Sequence, residues 1–127
     1  GKVLREGQKI ALIATGMMVQ EALKTADILA KEDISVTVVD MPCIKPIDEE
    51  LIEKIAKSHE LIITCEEHNV YGGLGSAVSE VTSKKSPVRM EMMGMQDTFG
   101  ESGTPNELLA KYGLNADHIV EKVKECL

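Results

Sequence analysis

Short apolar segments of strand length alternate along this chain with longer segments whose apolar residues recur at helical spacing. Residues 10–14 (IALIA) and 34–39 (ISVTVV) are continuous apolar or β-branched runs, which favour buried strands. Between them, apolar residues from Met18 to Ala30 recur every three or four positions, which predicts an amphipathic helix. The polar residues of that helix are expected to face solvent: Gln20, Glu21, Lys24 and Asp27. Apolar strands that alternate with amphipathic helices predict an α/β domain with a mainly parallel sheet covered on both faces.

The same alternation continues to the end of the sequence. Two further strands are predicted at residues 61–65 and 88–93. Capping residues and apolar spacing predict four further helices: after Asp48, over residues 76–82, from Thr104-Pro105 to Gly113, and after Asn115. The predicted order is therefore β-α-β-α-β-α-β-α-α, and 127 residues suit a single domain.

Composition narrows the classes of function. The chain has a formal net charge of −7, with two Tyr, one Phe and no Trp. Acidic chains repel the phosphate backbone and base stacking needs aromatic side chains, so nucleic acid is not an expected partner. No apolar run approaches the roughly 20 residues of a membrane span. Three widely spaced cysteines, Cys43, Cys65 and Cys126, predict reduced thiols and a cytoplasmic location.

The folded domain is predicted to cover residues 9–127. Residues 1–8 (GKVLREGQ) are mostly polar and lack the apolar segment of a signal peptide, so they are expected to be a linker from an upstream domain. No interior segment has the composition of a linker or of an internal repeat.

The stretch EEHNVYGGLGS, residues 66–76, follows the third predicted strand and precedes a helix. Such loops lie beyond the carboxyl ends of parallel strands, where ligands bind. The glycines are not a dinucleotide fingerprint, because position 78 is Val, and no Gly-Lys-Ser/Thr sequence occurs. Backbone amides at the helix start could hold an anion. The favoured alternative is that the glycines permit a sharp turn and close packing of the helix on the sheet.

Glu66, Glu67 and His68 pose a second question, because carboxylates and imidazole can act as general acid and base. Side chains alternate along an extended segment, so Glu66 and His68 could share a face while Glu67 points away. The favoured alternative is a polar strand end that bonds to neighbouring loops or to a partner subunit. The candidate ligand or interface residues at this edge are Thr15, Gly16, Glu66, Glu67, His68, Gly72, Gly73 and Gly75. No catalytic, cofactor-binding or metal-binding residue is predicted.

Other side chains with functional potential are expected to be structural. Cys65 falls within a predicted strand and should be a core residue, whereas His59 and His118 should lie at the surface. Four methionines could form a soft contact surface, although core filling is the favoured interpretation: Met90, Met92, Met93 and Met95.

Four stretches resemble the C-terminal domain of the transketolase family, in the family's order and over nearly the whole chain. They are IATGMMVQEAL (13–23), VVDMPCIKPID (38–48), CEEHNVYGGLGSAVSEV (65–81) and FGESGTPNELLAKYGLNADHIVEKVK (99–124). The domain is shared with 1-deoxyxylulose-5-phosphate synthase and the β subunits of 2-oxoacid dehydrogenases. The EEH form and the LLAKYGL tail look more like transketolase.

The resemblance implies a three-layer α/β/α sandwich with a mostly parallel five-stranded sheet, whose fifth strand could lie near Lys2 to Arg5 or elsewhere in the chain. It implies a thiamine diphosphate-dependent parent enzyme of the pentose phosphate pathway, which moves a two-carbon ketol unit between sugar phosphates. In the family, thiamine diphosphate and Mg bind between two other domains, so this chain alone is expected to be inactive. The implied partners are an upstream pyrimidine-binding domain, a cofactor-diphosphate-binding domain or subunit, and a second copy in a homodimer. A regulatory ligand or anion module is the alternative role.

Overall fold

The computed structural model describes residues 1–69, 73–95 and 115–127, apart from the side chains of residues 67–69 and 95. These ranges contain the strands β1 (Lys2–Arg5), β2 (Ile10–Ala14), β3 (Thr37–Asp40), β4 (Leu61–Asn69) and β5 (Arg89–Met95). They also contain the helices α1 (Met18–Ala30), α2 (Glu49–Ser58), α3 (Leu74–Lys85) and α4 (Ala116–Cys126). No helix in these ranges is long and apolar enough to cross a membrane. The helix predicted from Thr104 to Gly113 lies outside the described residues.

The strands form one sheet in the order β1-β3-β2-β4-β5. β2 pairs in parallel with β3 and β4, and β5 pairs in parallel with β4, whereas β1 runs antiparallel to β3 at one edge. The mostly parallel five-stranded sheet is therefore confirmed, and its fifth strand is Lys2–Arg5. Within the predicted linker at residues 1–8, residues 2–5 are thus built into the sheet. The upstream domain and the boundary at residue 9 stay predictions.

Helices cover both faces of the sheet, which gives the three layers. α1 and α4 pack on one face, where Leu12 and Ile63 are fully buried. α2 and α3 pack on the other face, where Ile13 and Ile62 are fully buried. Neighbouring residues of the central strands therefore point into opposite cores, which explains why these strands are apolar throughout. Each buried Leu or Ile contributes roughly 1.5–3 kcal/mol through removal of apolar surface from water.

The bounds of three strands differ from the predicted ones, and β5 covers Arg89–Met95 rather than residues 88–93. β3 begins at Thr37 rather than at residue 34, because the preceding segment closes helix α1. Asp33 has a φ of 61°, and the Ile34 N–H donates to the Leu29 carbonyl at 3.0 Å. Ile34 thus completes the helix end and packs against the core without joining the sheet. β4 continues to Asn69, past the predicted end at residue 65.

Two predicted helix caps are confirmed. Asp48 Oδ1 accepts a hydrogen bond from the Leu51 N–H at 3.2 Å at the start of α2. Asn115 Oδ1 accepts one from the His118 N–H, also at 3.2 Å, at the start of α4. α3 begins at Leu74 rather than at residue 76, and its own cap residue is a glycine without a side-chain acceptor. The acceptor for this helix comes from another element.

Candidate functional site

The candidate residues Thr15 and Gly16 form the turn from β2 into α1 at the carboxyl edge of the sheet. The Thr15 N–H donates to the Cys65 carbonyl at 3.3 Å, so this turn lies directly beside the strand that carries Glu66. Gly16 is exposed and has a φ of 61°, a left-handed conformation that glycine adopts without a steric penalty. The structure therefore places Thr15 beside β4 at the residue before Glu66, as the parallel topology predicts.

Glu66 supplies the acceptor for helix α3. Its side chain is 1% exposed, Oε1 accepts from the Leu74 N–H at 3.0 Å, and Oε2 accepts from the Gly75 N–H at 2.9 Å. The first N–H groups of a helix have no partner within the helix and carry the positive end of its dipole. A carboxylate that accepts from two of these N–H groups forms two charge-assisted hydrogen bonds with a defined orientation. The anion at this helix start is therefore the chain's own carboxylate.

Gly75 allows α3 to approach the sheet closely. A Cβ at this position would lie 2.7 Å from Met92 Sδ and 3.1 Å from Thr64 Oγ1. Thr64 Oγ1 is buried and has no hydrogen-bond partner among the described residues, so the layer between β4 and α3 holds no described group that could bond to it. Gly73 occupies the cap position of the helix. At Gly75 this geometry supports the close packing that was favoured for the glycines, whereas the sharp turn falls on residues 70–72, outside the described part of the chain.

The remaining candidates are placed only in part. The backbones of Glu67 and His68 belong to β4, but their side chains lie outside the described part of the chain, as does the whole of Gly72. The hypothesis that Glu66 and His68 share a face, and the role of this edge in binding a ligand or partner, therefore stay predictions.

A second buried glutamate was missed by the sequence analysis. Glu21 was expected to face solvent, but its side chain is only 7% exposed and Oε1 accepts from the Ala116 N–H at 3.1 Å. Its Oε2 lies 3.0 Å from Lys24 Nζ. Glu21 thus caps α4 from α1. The available signal was position, since Glu21 lies three residues after Met18 and one before Ala22, within the apolar stripe of the helix.

The burial of a histidine at the opposite, amino edge of the sheet was also underestimated. His59 is half-buried rather than exposed, its Nδ1 lies 2.9 Å from the Ile55 carbonyl, and its Nε2 lies 2.7 Å from Thr37 Oγ1. A carbonyl can only accept, so the Nδ1–H donates to the Ile55 carbonyl. Thr37 Oγ1 in turn accepts from the Gly7 N–H at 3.0 Å, which ties the end of α2 to β3 and to the segment after β1.

Cys65 is a core residue, as predicted. It is fully buried, and this burial, with a smaller effect of the Glu66 carboxylate, raises the pKa of its thiol to about 12. The thiolate is the reactive form, so this cysteine is not a nucleophile near neutral pH. In residues 1–69, 73–95 and 115–127, no cluster of three His, Cys, Asp or Glu side chains could hold a metal ion.

A groove of about 320 Å³ lies beside the carboxyl edge, between the loop after β3 and helix α3. Ile44, Ile47 and Val81 give it apolar walls. Its charged lining residues are balanced in sign: Lys45, Lys84, Glu49 and Glu80. Balanced charge gives no preference for an anionic ligand.

The described edge thus holds one carboxylate bonded to backbone amides, one protonated thiol, and Gly75, which lets α3 lie close to the sheet. General acid–base catalysis needs titratable groups free to exchange protons with a substrate, and Glu66 is instead committed to the chain itself. Fold and described site together define an α/β domain in which the buried Glu66 supports the start of α3.

The chain belongs to the transketolase C-terminal domain family. The family model described as "Transketolase, C-terminal domain" matches residues 1–119. A protein of Methanocaldococcus jannaschii named as a transketolase C-terminal section is 42% identical over 126 residues, which is 98% of this chain and 39% of that protein. The 1-deoxy-D-xylulose-5-phosphate synthase of Desulforudis audaxviator is 46% identical over 121 residues, or 94% of this chain and 19% of the enzyme.

Solved structures agree with this assignment. A split-gene transketolase, described as an inactive β4 tetramer, superposes with a TM-score of 0.91 at 46% identity, covering 98% of this chain and 41% of that one. The transketolase of Campylobacter jejuni gives a TM-score of 0.67 at 25% identity, over 97% of this chain and 18% of that one. The chain therefore spans about two fifths or less of the length of these proteins.

Proposed function

We propose that this chain is the C-terminal domain of a thiamine diphosphate-dependent transketolase, and that its own role is subunit assembly and interdomain packing. The observation that carries the proposal is the hydrogen bonding of Glu66, the buried acid at the carboxyl edge. Both of its oxygens accept hydrogen bonds from the backbone of α3, so it stabilises the start of that helix. The likeness to a protein named as a C-terminal section supports a division of labour with other domains.

The parent reaction, in this proposal, is the transfer of a two-carbon ketol unit between sugar phosphates in the cytoplasm, within the pentose phosphate pathway. Thiamine diphosphate, when bound, supplies the carbanion chemistry. The described residues do not fit this group: they offer no Mg ligand cluster, and the start of α3, which was the candidate for holding a phosphate, is filled by Glu66. The cofactor is therefore assigned to the partners, an upstream pyrimidine-binding domain and a diphosphate-binding domain or subunit.

A reconstitution experiment tests this assignment. The chain would be expressed alone and together with the upstream section of its parent, and thiamine diphosphate with Mg would be titrated by calorimetry. The chain alone should give no binding heat and no ketol transfer, while the combination should give both. Tight binding of thiamine diphosphate by the chain alone would refute the assignment of the cofactor to other domains.

The same experiment separates the main alternative within the family. Several 1-deoxy-D-xylulose-5-phosphate synthases are about as similar to this chain as the transketolase section is. A reconstituted parent that makes 1-deoxy-D-xylulose 5-phosphate, and does not transfer ketol units between sugar phosphates, would assign the chain to that enzyme. A 2-oxoacid dehydrogenase β subunit would be inactive in both assays.

A regulatory ligand module is the second candidate, supported by the placement of Thr15, Gly16 and Glu66 at the edge where ligands bind in such sheets. A free anion at the start of α3 would have to displace Glu66. Calorimetric titration with phosphate, sugar phosphates and nucleotides distinguishes the two roles. Saturable binding that is lost in Thr15→Val would favour the ligand module, and no binding heat for any of these ligands would favour the structural role.

A further inference from the structure

We propose that two copies of the chain associate through β5, paired antiparallel about a two-fold axis at Met90, so that their sheets join into one. The inference rests on the assembly role proposed above and specifies its surface. β5 lies at an edge of the sheet, and within the described residues its backbone pairs only with β4. An edge strand with one open side is a template for another strand.

The two edges of the sheet differ in their suitability for pairing. β1 has only four residues and a register shift between Val3 and Arg5, and such irregularities obstruct an incoming strand. β5 has seven residues, without proline or lysine, and keeps a regular register with β4 from Arg89 to Met93. β5 is therefore the edge that can accept a second strand.

The side chains of β5 offer different chemistry on its two faces. Met90 packs on the core beneath α2 and α3, and Met92, on the same face, is 40% exposed. Arg89 and Glu91 lie on the opposite face, toward α4, where Glu91 Oε2 is 3.8 Å from Lys122 Nζ. Methionine adapts its shape to a partner surface, so the first face suits apolar contact and the second suits ion pairing.

The charges select one register. A two-fold axis perpendicular to the sheet can be placed at any residue of β5. Each residue of one copy is then directly opposite a residue of the other copy whose side chain lies on the same face of the joined sheet. An axis at Met90 sets Arg89 opposite Glu91 of the second copy, and Met92 opposite Val88. An axis at Arg89 or at Glu91 would set that charge against itself. Opposite charges stabilise cross-strand pairs and like charges destabilise them, so Met90 is the preferred centre.

Cysteine cross-linking tests the register. The background would carry Cys43→Ser and Cys126→Ser, which leaves only the fully buried Cys65. Met90→Cys should form a disulfide-linked dimer under mild oxidation, because residues directly opposite in antiparallel strands are about 5 Å apart. Met92→Cys is the matched control: its two thiols would be offset by roughly 13 Å along the strands, beyond reach of a disulfide. Random collision would favour the control, since Met92 is the more exposed residue.

Charge reversal tests the interface in solution by sedimentation equilibrium. Arg89→Glu should weaken self-association about tenfold or more, because it sets like charges opposite each other at two symmetric places. Combining Arg89→Glu with Glu91→Arg should restore the affinity. Lys2→Glu, on the other edge strand, should leave the affinity unchanged.

Two results would overturn the proposal. A chain that stays monomeric at high micromolar concentration has no such interface. Self-association that persists in Arg89→Glu, without a cross-link in Met90→Cys, would mean that the copies meet elsewhere. The second result would leave the assembly role of the domain standing, and recovery of parent activity on reconstitution tests that role independently.

Discussion

Glu66 and Gly75 are joined by a 2.9 Å hydrogen bond from the Gly75 N–H to Glu66 Oε2, across nine positions of the chain. The same glycine is pressed against the sheet, where any Cβ would meet Met92. One residue thus meets two requirements: it offers its amide to a buried carboxylate and leaves no side chain between helix and sheet. The consequences can be measured separately.

Glu66→Ala should lower the free energy of unfolding by about 2–4 kcal/mol, because it leaves two buried N–H groups without the charged acceptor they now share. Urea denaturation followed by circular dichroism measures this loss. Glu80→Ala is the matched control, since Glu80 is an exposed glutamate on the same helix and its loss should cost less than about 0.5 kcal/mol.

Formate should restore part of the stability of Glu66→Ala, because it can occupy the vacated helix start as a small carboxylate. The measurement is the urea midpoint of the variant with sodium formate and with sodium chloride at equal ionic strength. A midpoint that rises equally in both salts would show that the helix start does not select a carboxylate.

Glu21→Ala should free the start of α4, because the Ala116 N–H loses its acceptor. We expect a loss of about 1–3 kcal/mol in the free energy of unfolding. Hydrogen exchange at the Ala116 amide should become faster than the global loss alone explains. Gln20→Ala, a change at an exposed neighbour, should alter neither quantity. Unchanged exchange at Ala116 in Glu21→Ala would contradict the capping role.

Gly75→Ala should cost about 1–3 kcal/mol through overpacking against Met92 and Thr64. Met92→Ala alone should cost little, since the side chain is 40% exposed. If the clash with Met92 dominates, the double variant should be more stable than the sum of the two losses predicts, by about 0.5 kcal/mol or more. Additive losses in this double-mutant cycle would place the steric conflict at Thr64 instead.

Cys65 should make stability fall in alkaline solution. Its thiol has an ordinary pKa of 9.0 and a native pKa of about 12. The native state keeps its proton while the unfolded state releases one, so stability is fully present below pH 9 and declines toward pH 12. The slope is about 1.4 kcal/mol per pH unit at most. Urea denaturation across this range should show a shallower decline for Cys65→Ala than for the unmodified chain; identical slopes would contradict the raised pKa.

The layered fold was predictable because a strand that is buried on both faces needs apolar residues at every position. Ile10–Ala14 is apolar at every position, which only a central strand of a covered sheet requires. β1 has no such apolar run, since it is an edge strand with alternating exposure, and the resemblance rather than its own pattern indicated it. Local capping by Asp48 and Asn115 was also predictable, because donor and acceptor lie only three residues apart in the sequence.

The carboxyl edge was less predictable, because its key contacts join residues that are distant in sequence. Glu66 was identified as a candidate, but its partners, Leu74 and Gly75, lie eight and nine residues further along the chain. The sequence alone could not distinguish an acid/base role from a capping role, because a glutamate can perform either. Glu21 has its partner at Ala116, so neither a helical wheel nor a motif could have assigned it. A charged residue inside an apolar stripe was the one available warning.

The caps supplied by Glu66 and Glu21 also determine what can be removed from this domain intact. A peptide that spans only α3 would lack the strand that completes its first turn, and a peptide of α4 would lack α1. Neither segment should hold its helical start in isolation, since short helices are marginal without such support. Any peptide that keeps the cap of α3 must therefore include Glu66 of β4 as well as the helix.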